Sequence, residues 1–297
     1  MAQSNDGPEA GGAPPGPANG PSPGRSPRRV VALVTGASSG IGEAAARRLA
    51  REKLDAMVLV ARREGRLREL AASLPVPTTY VAVDLTDEGA PERIRAHVEE
   101  HHGSLTLLVN NAGASWRSTF ADGGWENVRR TMAINFDAVV RLTEGLLPLL
   151  RDSAPSAIVN VASTASRVAR AGAGAYSASK YALAGWSDSL HLEEHANGVH
   201  VGLVLPGFIA TEGFPATELR ERRLTRWIVS TPDTAAEAIV EAGLGRRPER
   251  YVPRGYGLIA LTRMVSPALV RRIQRGGAVS VLTTATHPDL GEEARRP

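Results

Sequence analysis

From Val30 onward, short apolar runs alternate with stretches of helical spacing, and this alternation narrows the possible folds more than any other feature of the chain. Residues 30–34, 56–61, 80–83, 105–109, 157–161 and 199–205 are apolar almost throughout, which suits strands buried on both faces. Between them, residues 41–53, 66–74, 88–101, 125–150 and 176–196 carry apolar side chains at helical intervals, with a bend expected near Pro148 in the fourth. Apolar strands alternating with amphipathic helices predict an α/β fold: a doubly wound parallel sheet in one domain, with its ligand at the carboxyl ends of the strands.

The flanks differ from this body. Residues 1–28 are rich in Pro, Gly, Ala and Ser and predict a disordered tail, which lacks the basic start and apolar centre of a secretory signal. Residues 29–255 are expected to form the folded α/β domain, and 256–297 a helical extension and tail. No apolar run reaches the roughly 18 residues that span a bilayer, so a cytoplasmic protein is expected. A net charge of +4 on 297 residues makes no case for a nucleic-acid partner. Cysteine is absent, which removes thiolate chemistry and cysteine metal sites. Only two of the 35 basic residues are lysines, Lys53 and Lys180, so a lysine kept at 180 against that bias draws notice.

The first apolar run ends in "VTGASSGIG", residues 34–42, which carries two overlapping patterns. Gly36 to Gly40 reads G-x-S-x-G, the turn that exposes a nucleophilic serine in hydrolases, here Ser38. Gly36, Gly40 and Gly42 also form a glycine-rich turn before a helix, which can seat a dinucleotide diphosphate. A loop after the first strand is where a dinucleotide fold places its phosphates, so the second reading is favoured. A hydrolase would also need a base histidine late in the chain. His191, His195, His200 and His287 offer no such setting. The pairs His97/His101 and His191/His195 lie in charged helical stretches and read as solvated surface, so no metal site is expected.

Further motifs close the later strands. Asn110-Asn111-Ala112-Gly113 follows the fourth and Asn160-Val161-Ala162-Ser163 the fifth. Tyr176-Ser177-Ala178-Ser179-Lys180 begins 13 residues after Ser163, and Pro206-Gly207 closes the sixth strand with Thr211 beyond. In this order, with the glycine loop, they resemble the short-chain dehydrogenase/reductase family over residues 28–255. The resemblance implies a Rossmann-like sheet and an enzyme that interconverts a carbonyl and an alcohol by hydride transfer. It implies catalytic roles for Asn135, Ser163, Tyr176 and Lys180: Ser163 steadies the substrate oxygen, and Asn135 holds a water that links Lys180 to solvent. It implies cofactor contacts from Gly36, Ser38, Ser39, Gly40, Ile41, Gly42, Arg62, Asp84, Leu85, Asn111, Ala112, Gly113, Tyr176, Lys180, Pro206, Gly207 and Thr211. Asp84 would touch the adenine, with a cap of the next helix as its alternative. Asn110 would be structural. A homodimer or homotetramer is expected.

The central pair can be argued from chemistry. Tyr176 and Lys180 lie four apart on an expected helix and share a face. A free phenol titrates near 10. An ammonium about 4 Å away, at an effective dielectric of about 20, favours the phenolate by roughly 4 kcal/mol. That is about three pKa units, enough to bring the phenol near neutrality, where a general acid/base works best.

The second strand indicates which nucleotide. An acid at its end would accept the ribose 2′-hydroxyl of NAD, but Ala61 stands there, followed by Arg62, whose fork of donors suits a 2′-phosphate. The expected cofactor is NADP(H), with Arg63 and Arg66 as the nearby alternatives for that contact. Two other readings are kept open: a non-catalytic NADP(H) sensor, and a serine hydrolase using Ser38. Residues 115–120, 167–174 and 208–227 would wall the substrate pocket, the last as a mobile lid.

Beyond Tyr251 the resemblance thins. Ser266-Pro267 predicts a break between two short helices. Leu258, Leu261, Val265, Leu269 and Ile273 make an apolar stripe, with Arg263, Arg271, Arg272 and Arg275 largely off it. Packing on the body or on a partner subunit is the expected use of the stripe, and peripheral contact with an anionic membrane the alternative.

Overall fold

A computed structural model describes residues 29–210 and 229–275. The expected disordered tail at 1–28, Thr211, most of the expected lid and the chain end after Arg275 lie outside the described residues.

The apolar runs form one sheet. Strands β1 (Val31–Thr35), β2 (Ala56–Ala61), β3 (Thr78–Ala82), β4 (Leu107–Asn110), β5 (Ser156–Val161), β6 (Val199–Pro206) and β9 (Glu249–Val252) pair in the order β3-β2-β1-β4-β5-β6-β9. Every pairing is parallel. The order turns back between β1 and β4, where an open α/β sheet leaves a crevice at its carboxyl edge. A separate parallel pair joins β7 (Phe208–Ile209) to β8 (Val229–Ser230).

Helices cover both faces. Ala32, Val34, Met57 and Leu59 face α1 (Gly40–Leu49), α2 (Glu64–Ser73) and α7 (Pro232–Gly243), which contribute Leu49, Leu67 and Ile239 to that layer. Val31, Leu33 and Val58 face the other way, against Ile94 and Val98 of α3 (Ala90–His101) and Leu142, Leu146 and Leu150 of α5 (Ala138–Asp152). Two-sided burial is why β2 is apolar at every position and β1 at all but its last, Thr35. α6 (Gly174–Glu194) lies beside β6 and adds Leu183 and Ala184 to a third cluster near the site.

The expected long helix at 125–150 is three segments: α4 (Phe120–Met132), a π-helical stretch (Ala133–Asp137) and α5. α5 continues through Pro148. An irregularity sits at Asn135, where side-chain bonds to a neighbouring loop hold one wide turn in place.

The break at Ser266 is present, between α8 (Tyr256–Val265) and α9 (Pro267–Arg275). The apolar stripe, however, does not pack on the body. Ala260 and Val270 are buried, while Leu258, Leu261, Val265, Leu269 and Ile273 are all exposed.

Candidate active site

The loop after β1 turns at Gly36 and Gly40, whose φ angles of +65° and +56° strain any residue with a side chain. Close packing is a second demand for glycine. A Cβ on Gly42 would lie 2.2 Å from the Gly36 carbonyl oxygen, and one on Gly36 would lie 2.9 Å from the Ala112 Cα. Thr35 ties this loop to the end of β4. Its hydroxyl donates to the Val109 carbonyl (3.2 Å) and accepts from the N–H groups of Asn111 (2.9 Å) and Ala112 (3.0 Å). The Asn111 amide in turn donates to the Thr35 carbonyl at 2.9 Å. Ser39 is the extended residue ahead of α1, whose first-turn N–H groups, Ile41 included, form the positive end of the helix at the loop. The loop can therefore seat a diphosphate. Motif reasoning passes over Thr35, whose only sequence signal is a hydroxyl closing an apolar strand.

Ser38 has a guanidinium as its side-chain partner. Arg63 donates to its hydroxyl from Nε (3.3 Å) and Nη2 (3.2 Å), and to its carbonyl (3.2 Å). A guanidinium cannot take a proton, so this contact gives Ser38 no base. Arg62 projects from the end of β2 with its Nη1 3.6 Å from the Asp84 carboxylate. Asp84 caps no helix. It accepts from the Thr86 N–H (2.9 Å) and hydroxyl (2.8 Å). Burial opposes its charge, but the bonds from Thr86 and the nearby Arg62 outweigh that and hold the carboxyl below its usual range. Leu85 beside it is buried. Arg62, Arg63 and Asp84 thus stand together at one end of the crevice.

At its centre a chain of buried amides fixes the strands. Asn110 donates to Thr143 (3.1 Å) and to Asn160 (2.9 Å), which donates to Ser187 of α6 (2.8 Å). Asn135 is fully buried. Its Oδ1 accepts from the Ala114 N–H at 2.8 Å, and its Nδ2 donates to the Ala114 carbonyl (2.9 Å) and the Ser179 hydroxyl (3.0 Å). Its side chain is thereby engaged by protein groups. Ser179 donates to the Tyr176 carbonyl at 2.8 Å, so Asn135 steadies the start of α6.

Ser163, at the end of β5, accepts from the Ala165 N–H (3.1 Å) and donates to the Pro206 carbonyl (3.2 Å). Lys180 is buried, with Nζ donating to the Val161 carbonyl at 2.8 Å. Gly113 lies beside it: an added Cβ there would be 3.5 Å from that Nζ and only 2.8 Å from the Asn135 Oδ1. The spacing argument brought the phenol's pKa near neutrality, and that is corrected: the surroundings push it upward. The Lys180 Nζ lies 5.9 Å from the Tyr176 ring centroid. Burial pushes the phenol up, while its bond to Ser163 and the charge of Arg170 pull the other way without prevailing. Burial also lowers Lys180 from 10.5 to about 8. For both groups burial, which disfavours the charged form, is the largest cause.

Of the segments expected to wall the substrate pocket, 115–120, 167–174 and the first residues of the third, 208–210, lie among the described residues. The Ser118 N–H donates to the Gly172 carbonyl at 3.0 Å, joining two of them. Arg170, which sequence reasoning did not single out, stacks on Phe208 with its guanidinium carbon 4.4 Å from the ring centroid. Tyr256 lies against Gly207, where an added Cβ would meet its ring at 2.6 Å. Elsewhere, His97 bonds Thr79 (2.9 Å) and His191 bonds the Val201 carbonyl (3.1 Å).

A parallel sheet with this strand order, a glycine loop at its first turn, and serine, tyrosine and lysine gathered at the next crevice edge define an oxidoreductase of the nicotinamide-nucleotide type. The short chain dehydrogenase family model matches residues 30–222, and the chain belongs to that family. A putative ketoacyl reductase of Streptomyces coelicolor is 35% identical over 224 residues, covering 73% of this chain and 84% of its own. The granaticin polyketide synthase putative ketoacyl reductase 1 of Streptomyces violaceoruber is 36% identical, covering 74% and 81%. The ketoacyl reductase HetN of Nostoc is 29% identical, covering 82% and 87%. The chain is accordingly a short-chain oxidoreductase that acts on a small carbonyl or alcohol compound.

Proposed function

We propose that this enzyme is an NADP(H)-dependent reductase of ketoacyl-type carbonyls, with Tyr176 as the proton donor. The observation that carries the reading is the convergence of Ser163, Tyr176 and Lys180 on one cleft beside Gly113 and the glycine loop. The cradle fits the cofactor: glycines stand where a Cβ would block close approach, and the first turn of α1 faces the loop. Gly36, Ser38, Ser39, Gly40, Ile41 and Gly42 would hold the diphosphate, with Asn111, Ala112, Gly113, Pro206 and Gly207 toward the nicotinamide. Asp84 and Leu85 would border the adenine. Ala61 in place of an acid, with Arg62 and Arg63 beside it, supports a 2′-phosphate.

When bound, NADPH supplies the hydride for the carbonyl carbon. The residues of the chain handle the oxygen. The Ser163 hydroxyl, in turning from the Pro206 carbonyl, can donate to the substrate oxygen and steady the charge that develops there. Tyr176 keeps its proton at neutral pH because burial raises it, and so is poised to give that proton to the oxygen. Lys180, tethered to the Val161 carbonyl, supplies positive charge near the phenolate left behind. Asn135 positions the pair through Ser179. The ketoacyl class comes from the named relatives.

The test is a panel of ketoacyl thioesters and simple ketones, followed by loss of NADPH absorbance with NADH in parallel. Turnover of at least one ketoacyl compound, with kcat/KM higher for NADPH, is expected. Nucleotide binding without turnover of any carbonyl would favour a sensor, and labelling of Ser38 by a fluorophosphonate a hydrolase.

A further inference from the structure

The exposed large apolar side chains are concentrated at one place. Of the eleven such residues among the described ones, six are Leu258, Leu261, Met264, Val265, Leu269 and Ile273. Leu258, Leu261 and Val265 follow helical spacing on α8, as do Leu269 and Ile273 on α9, so each helix turns an apolar face outward. Met264 and Val265 are 78% and 77% exposed, so water covers what a packed helix would bury. Ala260 and Val270 are the buried positions of the pair, α8 packing on β9 and α9 on α8, and the outer face is additional to those contacts.

The charge of the segment selects what covers that face. Residues 256–275 contain Arg263, Arg271, Arg272 and Arg275 and no Asp or Glu. A twofold contact with a second copy would lay the patch on its own image, arginine toward arginine with no carboxylate between them. An anionic bilayer surface answers both features: its acyl region takes the apolar side chains and its headgroups pair with guanidinium groups. We propose that α8 and α9 form a membrane-docking surface for anionic phospholipid, lying in the interface plane. Among the described residues no helix is long and apolar enough to cross a membrane, which fits attachment at the surface. Tyr256, the first residue of α8, rests on Gly207 at the substrate cleft, so docking would set the cleft mouth near the lipid. The docking itself does not depend on the reaction proposed above.

The full-length protein is sedimented with vesicles of phosphatidylcholine, pure or mixed with phosphatidylglycerol, and its oligomeric state is measured separately without lipid. Binding to the mixed vesicles at low salt, and much weaker binding to the pure ones, is expected. Replacing Arg263, Arg271 and Arg272 together by Gln should weaken it by about a hundredfold, since each charge near such a surface is worth about fivefold. Met264→Asp with Val265→Asp should abolish it while the far-ultraviolet circular dichroism stays that of the wild type, both side chains being exposed. Protein left in the supernatant with mixed vesicles, or equal binding of the wild type and the arginine variant, would overturn the proposal. So would a lipid-free oligomer that the Asp variant dissociates, because the face would then be covered by protein.

Discussion

Lys180 is held in a place that disfavours its charge. Its pKa is about 8 in the folded protein against 10.5 outside it, so the unfolded chain binds the extra proton between those values. Stability therefore rises as pH climbs from about 8 toward 10.5, and below about 8 the full penalty of about 3 kcal/mol is present. Lys180→Met removes that penalty and is expected to raise Tm at pH 7 by about 5 °C in a calorimeter while reduction is lost. An unchanged or lower Tm would mean that the bond to the Val161 carbonyl outweighs the burial. The same residue sets a pH limit on catalysis. The kcat/KM for reduction should hold through neutrality and decline above about pH 8, as Lys180 loses its proton while Tyr176 still keeps its own. A decline centred well below pH 7 would contradict the assignment. For nucleotide choice, Arg62→Asp should move the NADPH-to-NADH ratio of kcat/KM toward NADH by about tenfold or more, one charge-assisted contact being lost and a like charge gained. An unchanged ratio would shift the 2′-phosphate contact to Arg63, whose fork already holds Ser38.

At the scale of elements, the β1–α1 turn tolerates least. A Cβ at Gly42 would sit 2.2 Å from the Gly36 carbonyl oxygen, so Gly42→Ala must displace the loop from the end of α1. Titration of NADPH fluorescence should show affinity reduced by about a hundredfold or more, since the helix N-terminus and the loop N–H groups then no longer converge on one diphosphate. An unaltered Kd would mean that the loop does not hold it. The strands up to β6 were legible because two-sided burial writes itself as mainly apolar runs. α7 and β9 were not. The buried face of α7 is largely Ala235, Ala236, Ala238 and Ala242, and small side chains give little contrast with solvent positions. β9 closes the sheet at its edge with one buried residue, Val252. At the site, the residues in local motifs were legible, whereas Thr35 and Arg170 act across the chain on Val109 and Phe208, and so does the bond from Arg63 to Ser38. Spacing put Tyr176 and Lys180 on one helix face, but it carries no information on how dry that face is.

Across the whole molecule, the parallel sheet brings to one edge groups that are remote in sequence: the glycine loop after β1, Arg62 after β2, Gly113 after β4 and Ser163 after β5, with Tyr176 and Lys180 on α6 alongside. The central claim is that this edge passes a proton from Tyr176 to a substrate oxygen. Tyr176→Phe keeps the ring and removes only the hydroxyl. It is measured in two ways: NADPH binding by fluorescence, and NADPH oxidation with a ketoacyl substrate that the wild type reduces. Binding close to that of the wild type, with turnover reduced by about a hundredfold or more, is the predicted result. Turnover above about a tenth of the wild-type rate, with binding intact, would contradict the account, because another group would then be supplying the proton.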